Sequence, residues 1–250
     1  MIEIETKALK VAPVKIVWFA ARPGKWNFLN SYYKQSPAKG FAPGYIRKPF
    51  FTKTINLKQS QDAIEAGFDR NTLYEIRRAI KDGVETYTDG DIEDFIKVYN
   101  EFAETKNLAG IDRASLTRYK ANLVITYAVH NSHNLVMHVY LADRAIQRVR
   151  LLHSASLFRK EHNAQIKATI GRANRLLHLK DMIFFQNEGF SVYDLGGYAP
   201  GTKDAALMRI NQFKDCFGGT LLAETDYCPL PAAAGLFLKH LFKRWPSLVF

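Results

Sequence analysis

The segment GRANRLLHLKDMIFFQNEGFSVYDLGG, residues Gly171–Gly197, decides the fold prediction for this chain. Its pattern predicts a helix that starts at Gly171, a glycine stop, a short strand and a second glycine turn. A helix N-terminus carries free backbone N–H groups, and Arg172, Asn174 and Arg175 crowd this first turn. The segment therefore predicts an anion site at a helix start.

The centre of the chain has the clearest strand pattern. Leu123–His130 and Leu135–Leu141 alternate around Asn131–Asn134, which predicts a hairpin, and Arg148–Ala155 predicts a third strand. Further strands are predicted at Lys15–Ala20, Phe50–Leu57, Val84–Thr88, Ser191–Leu195 and Thr220–Thr225. Helices are predicted at Asn71–Lys81, Ser115–Lys120, 171–188 and Lys203–Cys216, and another helix is predicted to start after Asp89 or Asp91. An amphipathic helix is predicted at 230–245. The expected fold is one α/β domain over 1–250, with a mixed, mostly antiparallel central sheet flanked by helices. Within it, 1–70 is an N-terminal extension, whose region Arg22–Phe50 is expected to be loops.

Composition restricts the function further. The formal net charge is +11, and Ala142–Lys180 holds nine Lys/Arg against Asp143 and Glu161. Such a field attracts phosphates of a nucleotide cofactor, RNA or an anionic membrane, although a solvated basic face has the same composition. Two cysteines form no metal or disulfide framework, no export signal or spanning segment is visible, and a cytoplasmic protein is expected, with a peripheral position at the inner face of the membrane as an alternative.

Missing motifs exclude several enzyme classes. The chain has no GxxxxGK[ST], no GxGxxG, no HExxH and no GxSxG pattern. Most NTPases, Rossmann dehydrogenases, zinc hydrolases and serine hydrolases are thereby disfavoured, and no metal site is predicted.

Polar residues of the deciding segment form two candidate groups. Asn174, His178 and Asp181 share one face of the predicted helix, which has a solvated surface as its simplest alternative. Tyr193 and Asp194 end the following strand before two glycines that allow a ligand to approach the backbone closely, or that only shape a turn. A carboxylate in this position is a candidate for orienting a nucleophile or acting as a weak base.

Two strand histidines form a third candidate group. His138 and His153 lie within neighbouring predicted strands. If they converge on one face, they form an acid–base pair; taken singly, each is an ordinary hydrogen-bonded core or edge residue.

Taken together, these motifs resemble the FemAB-like branch of the GNAT acyltransferase superfamily. The resemblance rests on HVYL at His138–Leu141, LLHSAS at Leu151–Ser156, GRANRLLHLKDMIFF at Gly171–Phe185, YDLGG at Tyr193–Gly197 and FKDCFGG at Phe213–Gly219. It covers roughly Asn71 to Glu224. The sequence departs from the GNAT phosphate loop at Ala168, where Gln or Arg is usual.

The resemblance implies acyl transfer from an activated donor to an amine, without a metal and without a tightly bound cofactor. It implies that Lys214 supports donor phosphate or developing carbonyl charge. The acceptor side would hold Asp194, His138 and His153, with His178, Asp181 and Tyr193 binding substrate, and the donor phosphates would lie on Arg159, Gly171, Arg172, Asn174 and Arg175.

Three functional hypotheses follow. The first is an N-acyltransferase that uses acyl-CoA as co-substrate and acts on an amine-bearing glycan or peptide precursor of the bacterial envelope. The second is a transferase that uses aminoacyl-tRNA, and the third is a non-enzymatic basic module for RNA or a membrane surface. The glycines and carboxylate of YDLGG have no role in the third.

Overall fold

A computed structural model describes residues 1–8, 12–24 and 28–232 of the chain. The described residues form the strands β1 (Ile2–Ala8), β2 (Ala12–Trp18), β3 (Ser31–Ser36), β4 (Tyr45–Asn56), β5 (Glu85–Tyr87), β6 (Leu123–His130), β7 (His133–Asp143), β8 (Arg148–Ser156), β9 (Val192–Tyr198) and β10 (Thr220–Pro229). The α-helices are α1 (Gln61–Ala66), α2 (Arg70–Lys81), α3 (Ile92–Glu104), α4 (Arg113–Thr117), α5 (Ala164–Asn187) and α6 (Ala205–Asp215). Most of the predicted C-terminal helix over 230–245 lies outside the described residues.

The chain divides into two compact units, Met1–Phe51 with Leu222–Phe250 and Thr52–Leu221. It passes from one unit to the other within β4 and again within β10. In the first unit β1 and β2 pair antiparallel, β2 and β3 pair parallel, and β10 pairs antiparallel with β3. The predicted loop region Arg22–Phe50 is wrong, because it contains β3 and the start of β4. The single-domain organisation of 1–250 stays a prediction.

The first unit has its own small core of aromatic side chains. Tyr45 meets the rings of Tyr33 and Tyr227 edge to face, at centroid distances of 5.7 and 6.1 Å. Val17 and Ala20 complete this buried cluster. Alternating buried residues of β3 explain why a stretch without a simple hydrophobic run still forms a strand.

The second unit is a mixed sheet with the strand order β4-β9-β8-β7-β6-β5. β5, β6, β7 and β8 pair antiparallel in sequence, and β9 joins β8 in parallel. Helix α5 packs over one face with the larger core cluster, while α3 covers a second cluster around Phe95 and Val139. This mixed α/β architecture confirms the predicted fold class and the central hairpin.

Helix α5 begins seven residues before the predicted start. Asn163 caps it, with its side-chain oxygen accepting hydrogen bonds from the backbone N–H of Gln165 at 2.9 Å and Ile166 at 3.2 Å. Gly171 therefore lies inside the helix, where its N–H belongs to the helical ladder. The prediction of a helix N-terminus with free N–H groups at Gly171 is wrong.

Candidate active site

The principal cavity of the second unit lies where two parallel strands separate. β8 and β9 are in register at Arg148–Arg150 opposite Val192–Asp194. Beyond that register, residues of both strands line a cavity of about 480 Å³. Its walls are Leu151, Leu152, His153, Ser154 and Ser156 of β8, Leu195, Gly196 and Gly197 of β9, Asn174 and His178 of α5, Phe213 and Lys214 of α6, and Tyr99 and Phe102 of α3.

A second cavity of about 290 Å³ shares part of this lining. Six residues contribute to both cavities: Phe102, Lys106, Ser156, Arg159, Asn174 and Phe213. The second cavity adds Phe158, Ile170, Gly171 and Arg175. The shared walls make the two cavities neighbours along one face of α5.

Positive charge dominates both cavities. The basic lining residues are Lys106, Arg150, Arg159, Arg175, Arg209 and Lys214, and no Asp or Glu of the described residues lines either cavity. Burial lowers the pKa of Lys106, and the neighbouring Arg159 lowers it further. Cations held this close together without a lining carboxylate favour an anionic ligand.

Lys214 lies beside the backbone of β9. Its Nζ donates a hydrogen bond to the carbonyl oxygen of Gly197 at 2.5 Å. Burial lowers its pKa from 10.5 to about 8, an effect that the Asp194 carboxylate opposes and Arg150 reinforces. Lys214 is thus a cation at neutral pH that points into the main cavity.

Gly196 brings β9 close to β8 at this point. Its φ of +77° lies in the left-handed region, and a Cβ there would lie 3.0 Å from the carbonyl oxygen of Leu151 and 3.9 Å from Lys214 Nζ. A side chain at position 196 would therefore fill the space in front of the Lys214 ammonium.

The two strand histidines lie on opposite faces of the sheet. His138 of β7 pairs with Ser154 of β8, and His153 of β8 pairs with Val139 of β7. Paired residues share a face of the sheet and successive residues alternate, so His138 and His153 lie on different faces. His153 lines the main cavity against Tyr99, and burial, with Arg150 and Arg118 adding to it, lowers its pKa from 6.5 to about 4. The predicted acid–base pair of His138 and His153 is wrong.

His138 instead belongs to a buried polar cluster centred on Asp181. The Asp181 Oδ2 atom accepts hydrogen bonds from Thr126 Oγ1 at 3.0 Å, from Tyr140 OH at 2.6 Å and from His138 Nδ1 at 2.9 Å. His138 Nε2 lies 2.9 Å from the side-chain oxygen of Asn174. Asn174 lines both cavities, so this end of the cluster reaches the site.

The cluster has a second end at His178. The hydroxyls of Tyr140 and Tyr193 lie 2.6 Å apart, and Tyr193 OH lies 2.7 Å from His178 Nδ1. His178 and Asp181 are each 1% exposed, so the solvated-face alternative for the helix stripe is wrong. The structure thus joins the predicted residues His138, Asn174, His178, Asp181 and Tyr193 in one network that borders the main cavity.

Asp194 lies in a different environment. It is fully buried, and its Oδ2 accepts from Arg148 Nη2 at 2.6 Å and Nε at 3.2 Å, while Oδ1 accepts from the N–H of Gly196 at 2.7 Å and from Thr52 Oγ1. Burial raises its pKa, but Arg148 and Arg150 outweigh burial, so the pKa is lowered. Asp194 lines neither cavity and holds the turn that carries Gly196.

The predicted phosphate residues separate into two groups. Arg159, Gly171, Asn174 and Arg175 line the second cavity. Arg172 points to α2, where it pairs with Glu75 at 2.9 Å and with Asp82 at 3.1 Å. Gly171, Asn174 and Arg175 lie within α5, and Arg159 precedes that helix, so this group does not form a helix start at Gly171.

The site residues that were not predicted from the sequence include Lys106, Arg150 and Arg209 in the cavity walls, and Thr126 and Tyr140 in the buried network. Tyr140 follows His138 by two residues, and strand alternation is a signal that both share one face. Lys106 and Arg209 have no comparable signal, because only the fold brings α3 and α6 to β8.

Sequence comparison matches no protein-family model and no curated protein. Structure comparison finds the same fold in FemX, with a TM-score of 0.60, 12% identity, and coverage of 83% of this chain and 68% of that one. L-PGS from Bacillus licheniformis has a TM-score of 0.55 and 10% identity, and the match covers 84% of this chain and 72% of that one. The C-terminal domain of a putative lysylphosphatidylglycerol synthetase from Agrobacterium fabrum has a TM-score of 0.52 and 11% identity, and the match covers 84% of this chain and 70% of that one.

These similarities show that the chain shares the fold of FemX, which agrees with the fold that the sequence resemblance predicts. A search of the described helices for a long apolar segment finds none that could cross a membrane.

Proposed function

We propose that this protein is an acyltransferase that moves an acyl group from an activated, phosphate-bearing donor to an amine. The observation that carries the proposal is the cavity between the separating strands β8 and β9, which is lined by five Lys or Arg residues and by no carboxylate of the described chain. Such a site attracts an anionic donor and stabilises negative charge on a reacting carbonyl oxygen. The FemX-like fold supports the same class of reaction.

The two cavities divide the donor between them in this proposal. Lys106, Arg159 and Arg175 of the second cavity bind its phosphates, and the acyl group reaches the main cavity. Side chains supply this anion site, because Gly171 offers no free backbone N–H within α5. The acyl carbonyl then lies at Lys214, whose ammonium ion stabilises the developing oxyanion.

The reaction is a direct transfer. The amine nitrogen attacks the carbonyl carbon, a tetrahedral intermediate forms, and the bond to the leaving thiolate or alkoxide breaks. The amine loses one proton and the leaving group gains one, so no covalent enzyme intermediate is needed. Positioning of both substrates in the main cavity contributes a large share of such catalysis.

Acyl-CoA is our first donor, and aminoacyl-tRNA is the alternative. The acceptor is an amine-bearing glycan or peptide precursor of the bacterial envelope, handled in the cytoplasm, with peripheral contact at the inner membrane face as the site of encounter. The mixed polar and aromatic walls of the main cavity, Ser154, Ser156, Tyr99 and Phe102, support an acceptor of mixed polarity.

Thermal shift with coenzyme A thioesters tests the donor site. A ligand at about 100 times its dissociation constant stabilises the folded protein by roughly 2.7 kcal/mol, and we expect such a shift with at least one thioester. The variant Lys106→Gln/Arg159→Gln/Arg175→Gln should lose most of that shift, because it removes the cations of the second cavity.

Arg144→Gln is the matched control, because Arg144 is an exposed residue that pairs with Glu188 away from the cavities. It should retain the shift in full. No shift with any thioester, together with tight RNA binding to the same cations, would replace acyl-CoA by aminoacyl-tRNA. A shift that the triple variant leaves intact would place the donor elsewhere.

A further inference from the structure

We propose that Nε2 of His178 takes the proton from the attacking amine and that Tyr193 and Tyr140 relay this proton shift to Asp181. The inference rests on the proposed acyl transfer and adds the acid–base group that the transfer needs. It makes His178 a catalytic residue, and Tyr193, Tyr140 and Asp181 its positioning residues.

The hydrogen bonds form a continuous path from the cavity to a buried carboxylate. His178 Nδ1 lies 2.7 Å from Tyr193 OH, Tyr193 OH lies 2.6 Å from Tyr140 OH, and Tyr140 OH lies 2.6 Å from Asp181 Oδ2. Each distance is short for its kind of hydrogen bond. The path therefore connects the main cavity, which His178 lines, to Asp181 in three contacts.

The donor and acceptor of each hydrogen bond in this path follow from the Asp181 carboxylate at its buried end. The Asp181 carboxylate accepts only, so Tyr140 gives it its single hydroxyl proton. The Tyr140 oxygen then accepts from Tyr193, and the Tyr193 oxygen accepts from an Nδ1–H of His178. This order fixes the neutral Nδ1–H tautomer of His178 and leaves the Nε2 lone pair for a ligand.

No described residue occupies that second nitrogen. The side-chain hydrogen bond of His178 within the described chain goes from Nδ1 to Tyr193, and the His138 ring lies at a centroid distance of 4.4 Å. His178 contacts Phe213 and Phe217 at ring-centroid distances of 5.6 and 5.0 Å. Tyr193 and these rings hold the imidazole in a fixed orientation, as a positioned proton acceptor requires.

The proton shift balances without a charged imidazole. His178 Nε2 binds the amine proton while the Nδ1 proton passes to Tyr193, the Tyr193 proton to Tyr140, and the Tyr140 proton to Asp181. The amine nitrogen has then lost one proton and Asp181 has gained one, and His178 has changed tautomer. The reverse shift delivers the proton to the leaving thiolate or alkoxide and restores the starting state.

The electrostatic surroundings agree with this concerted shift. Burial lowers the pKa of His178 well below its usual value, and His138, Lys214 and Arg175 lower it further, so an imidazolium is disfavoured. Burial and the Asp181 charge raise the pKa of both Tyr140 and Tyr193, so both stay phenols in the resting state. A relay that leaves no charge on His178 suits a group in this position.

The other hydrogen-bond donors to Asp181 hold this carboxylate in place at the end of the relay. Thr126 and His138 donate to the same Oδ2 atom from the neighbouring strands β6 and β7. The carboxylate thus keeps two donors when the Tyr140 proton moves onto it. Its burial stays compensated throughout the shift.

The tautomer of His178 tests the relay without any substrate. In ¹⁵N-labelled protein, the long-range ¹H–¹⁵N spectrum should show neutral His178 protonated at Nδ1. Tyr193→Phe removes the acceptor of that proton, and we expect the signal to move toward the Nε2–H tautomer. Tyr127→Phe is the control, because Tyr127 stacks on Tyr87 outside the network and its loss should leave the His178 signal unchanged.

The catalytic arm of the test uses turnover of the thioester found by thermal shift. His178→Gln should lower kcat roughly 10²- to 10⁴-fold, as expected for loss of a general base, while KM for the donor changes little. Tyr193→Phe should lower kcat and also reduce its solvent deuterium isotope effect. An Nε2–H tautomer in the wild type, or full kcat in His178→Gln, would overturn the relay; absence of any turnover would count against the proposed transfer instead.

Discussion

At the scale of single residues, Lys214 shows how opposing effects set a functional charge. Burial among the cavity walls and the nearby Arg150 both lower its pKa, while the Asp194 carboxylate raises it. The result, a pKa of about 8 against 10.5 for an ordinary lysine, lies close to neutral pH. Asp194 therefore affects the site through its charge although it lines neither cavity.

We expect transferase activity to fall as the pH rises through about 8, because Lys214 is a cation below that pKa and neutral above it. Lys214→Arg keeps its charge far above pH 8, and its activity should not show that alkaline fall. Lys214→Met should lose roughly 10²- to 10³-fold in kcat below pH 8, as does removal of an oxyanion donor, and the difference from the wild type should shrink above that pH. An alkaline fall that persists unchanged in Lys214→Arg would assign it to another group.

The sequence alone could place the functional side chains on elements but not in contact with each other. Helical spacing puts Asn174, His178 and Asp181 on one face, which the structure confirms. In the fold this helix face packs on a strand, where Asp181 accepts a hydrogen bond from Thr126. Thr126 is 55 residues away in the sequence, so no local pattern shows whether the face is buried or solvated. Likewise, Asp194, the candidate for orienting a nucleophile or acting as a weak base, pairs with Arg148 across 46 residues and does not line either cavity.

At the scale of elements, glycine was the residue whose role was hardest to predict. Both Gly171 and Gly196 suggested breaks in regular structure, and only Gly196 has the left-handed backbone that requires glycine. Gly171 lies within α5, where residues 164–170 continue the helix back to the Asn163 cap. The polar asparagine cap was the stronger start signal, because its side chain satisfies N–H groups that a glycine leaves open.

Paired alanine variants test these two environments. Gly171→Ala should stabilise the protein by about 0.5–1 kcal/mol, because alanine favours a helix interior and the nearest atom to its Cβ, Arg175 Nη1, lies 3.8 Å away. Gly196→Ala should destabilise it, since φ is +77° and the Leu151 carbonyl oxygen would lie 3.0 Å from Cβ. Urea unfolding measures both free energies, and a loss of stability in Gly171→Ala would contradict the α5 start at Ala164.

Strand pairing was predictable for the central hairpin but not for the histidine faces. Alternating residues on either side of a short loop define β6 and β7. β6 has its predicted bounds, whereas β7 begins at His133, so the predicted loop Asn131–Asn134 is too long by two residues. The face of each histidine depends on register between β7 and β8, which also shifts between Val139 and Tyr140. A single-residue shift exchanges the faces, and no local pattern records it.

At the scale of the whole molecule, the fold redistributes the basic segment Ala142–Lys180. Arg144, Arg148 and Arg172 pair with carboxylates from outside the segment. Arg150, Arg159 and Arg175 line the cavities, and Arg150 also helps to lower the pKa of the Asp194 carboxyl. The charge excess seen in the sequence is therefore divided between ion pairs within the fold and cations that line the two cavities, which differs from a uniform basic surface.

This division predicts how binding depends on salt. In the proposed complex coenzyme A contacts only the few cations of the cavities, so its affinity should weaken several-fold between about 50 and 200 mM salt, whereas RNA held by 6–10 phosphate contacts would lose about 10³- to 10⁵-fold. Titration calorimetry with coenzyme A and filter binding with tRNA measure the two slopes. Lys106→Gln/Arg159→Gln/Arg175→Gln should flatten the coenzyme A slope, and Arg144→Gln should not. A steep tRNA slope that the triple variant reduces by about one for each charge removed would instead assign the cavities to an aminoacyl-tRNA donor.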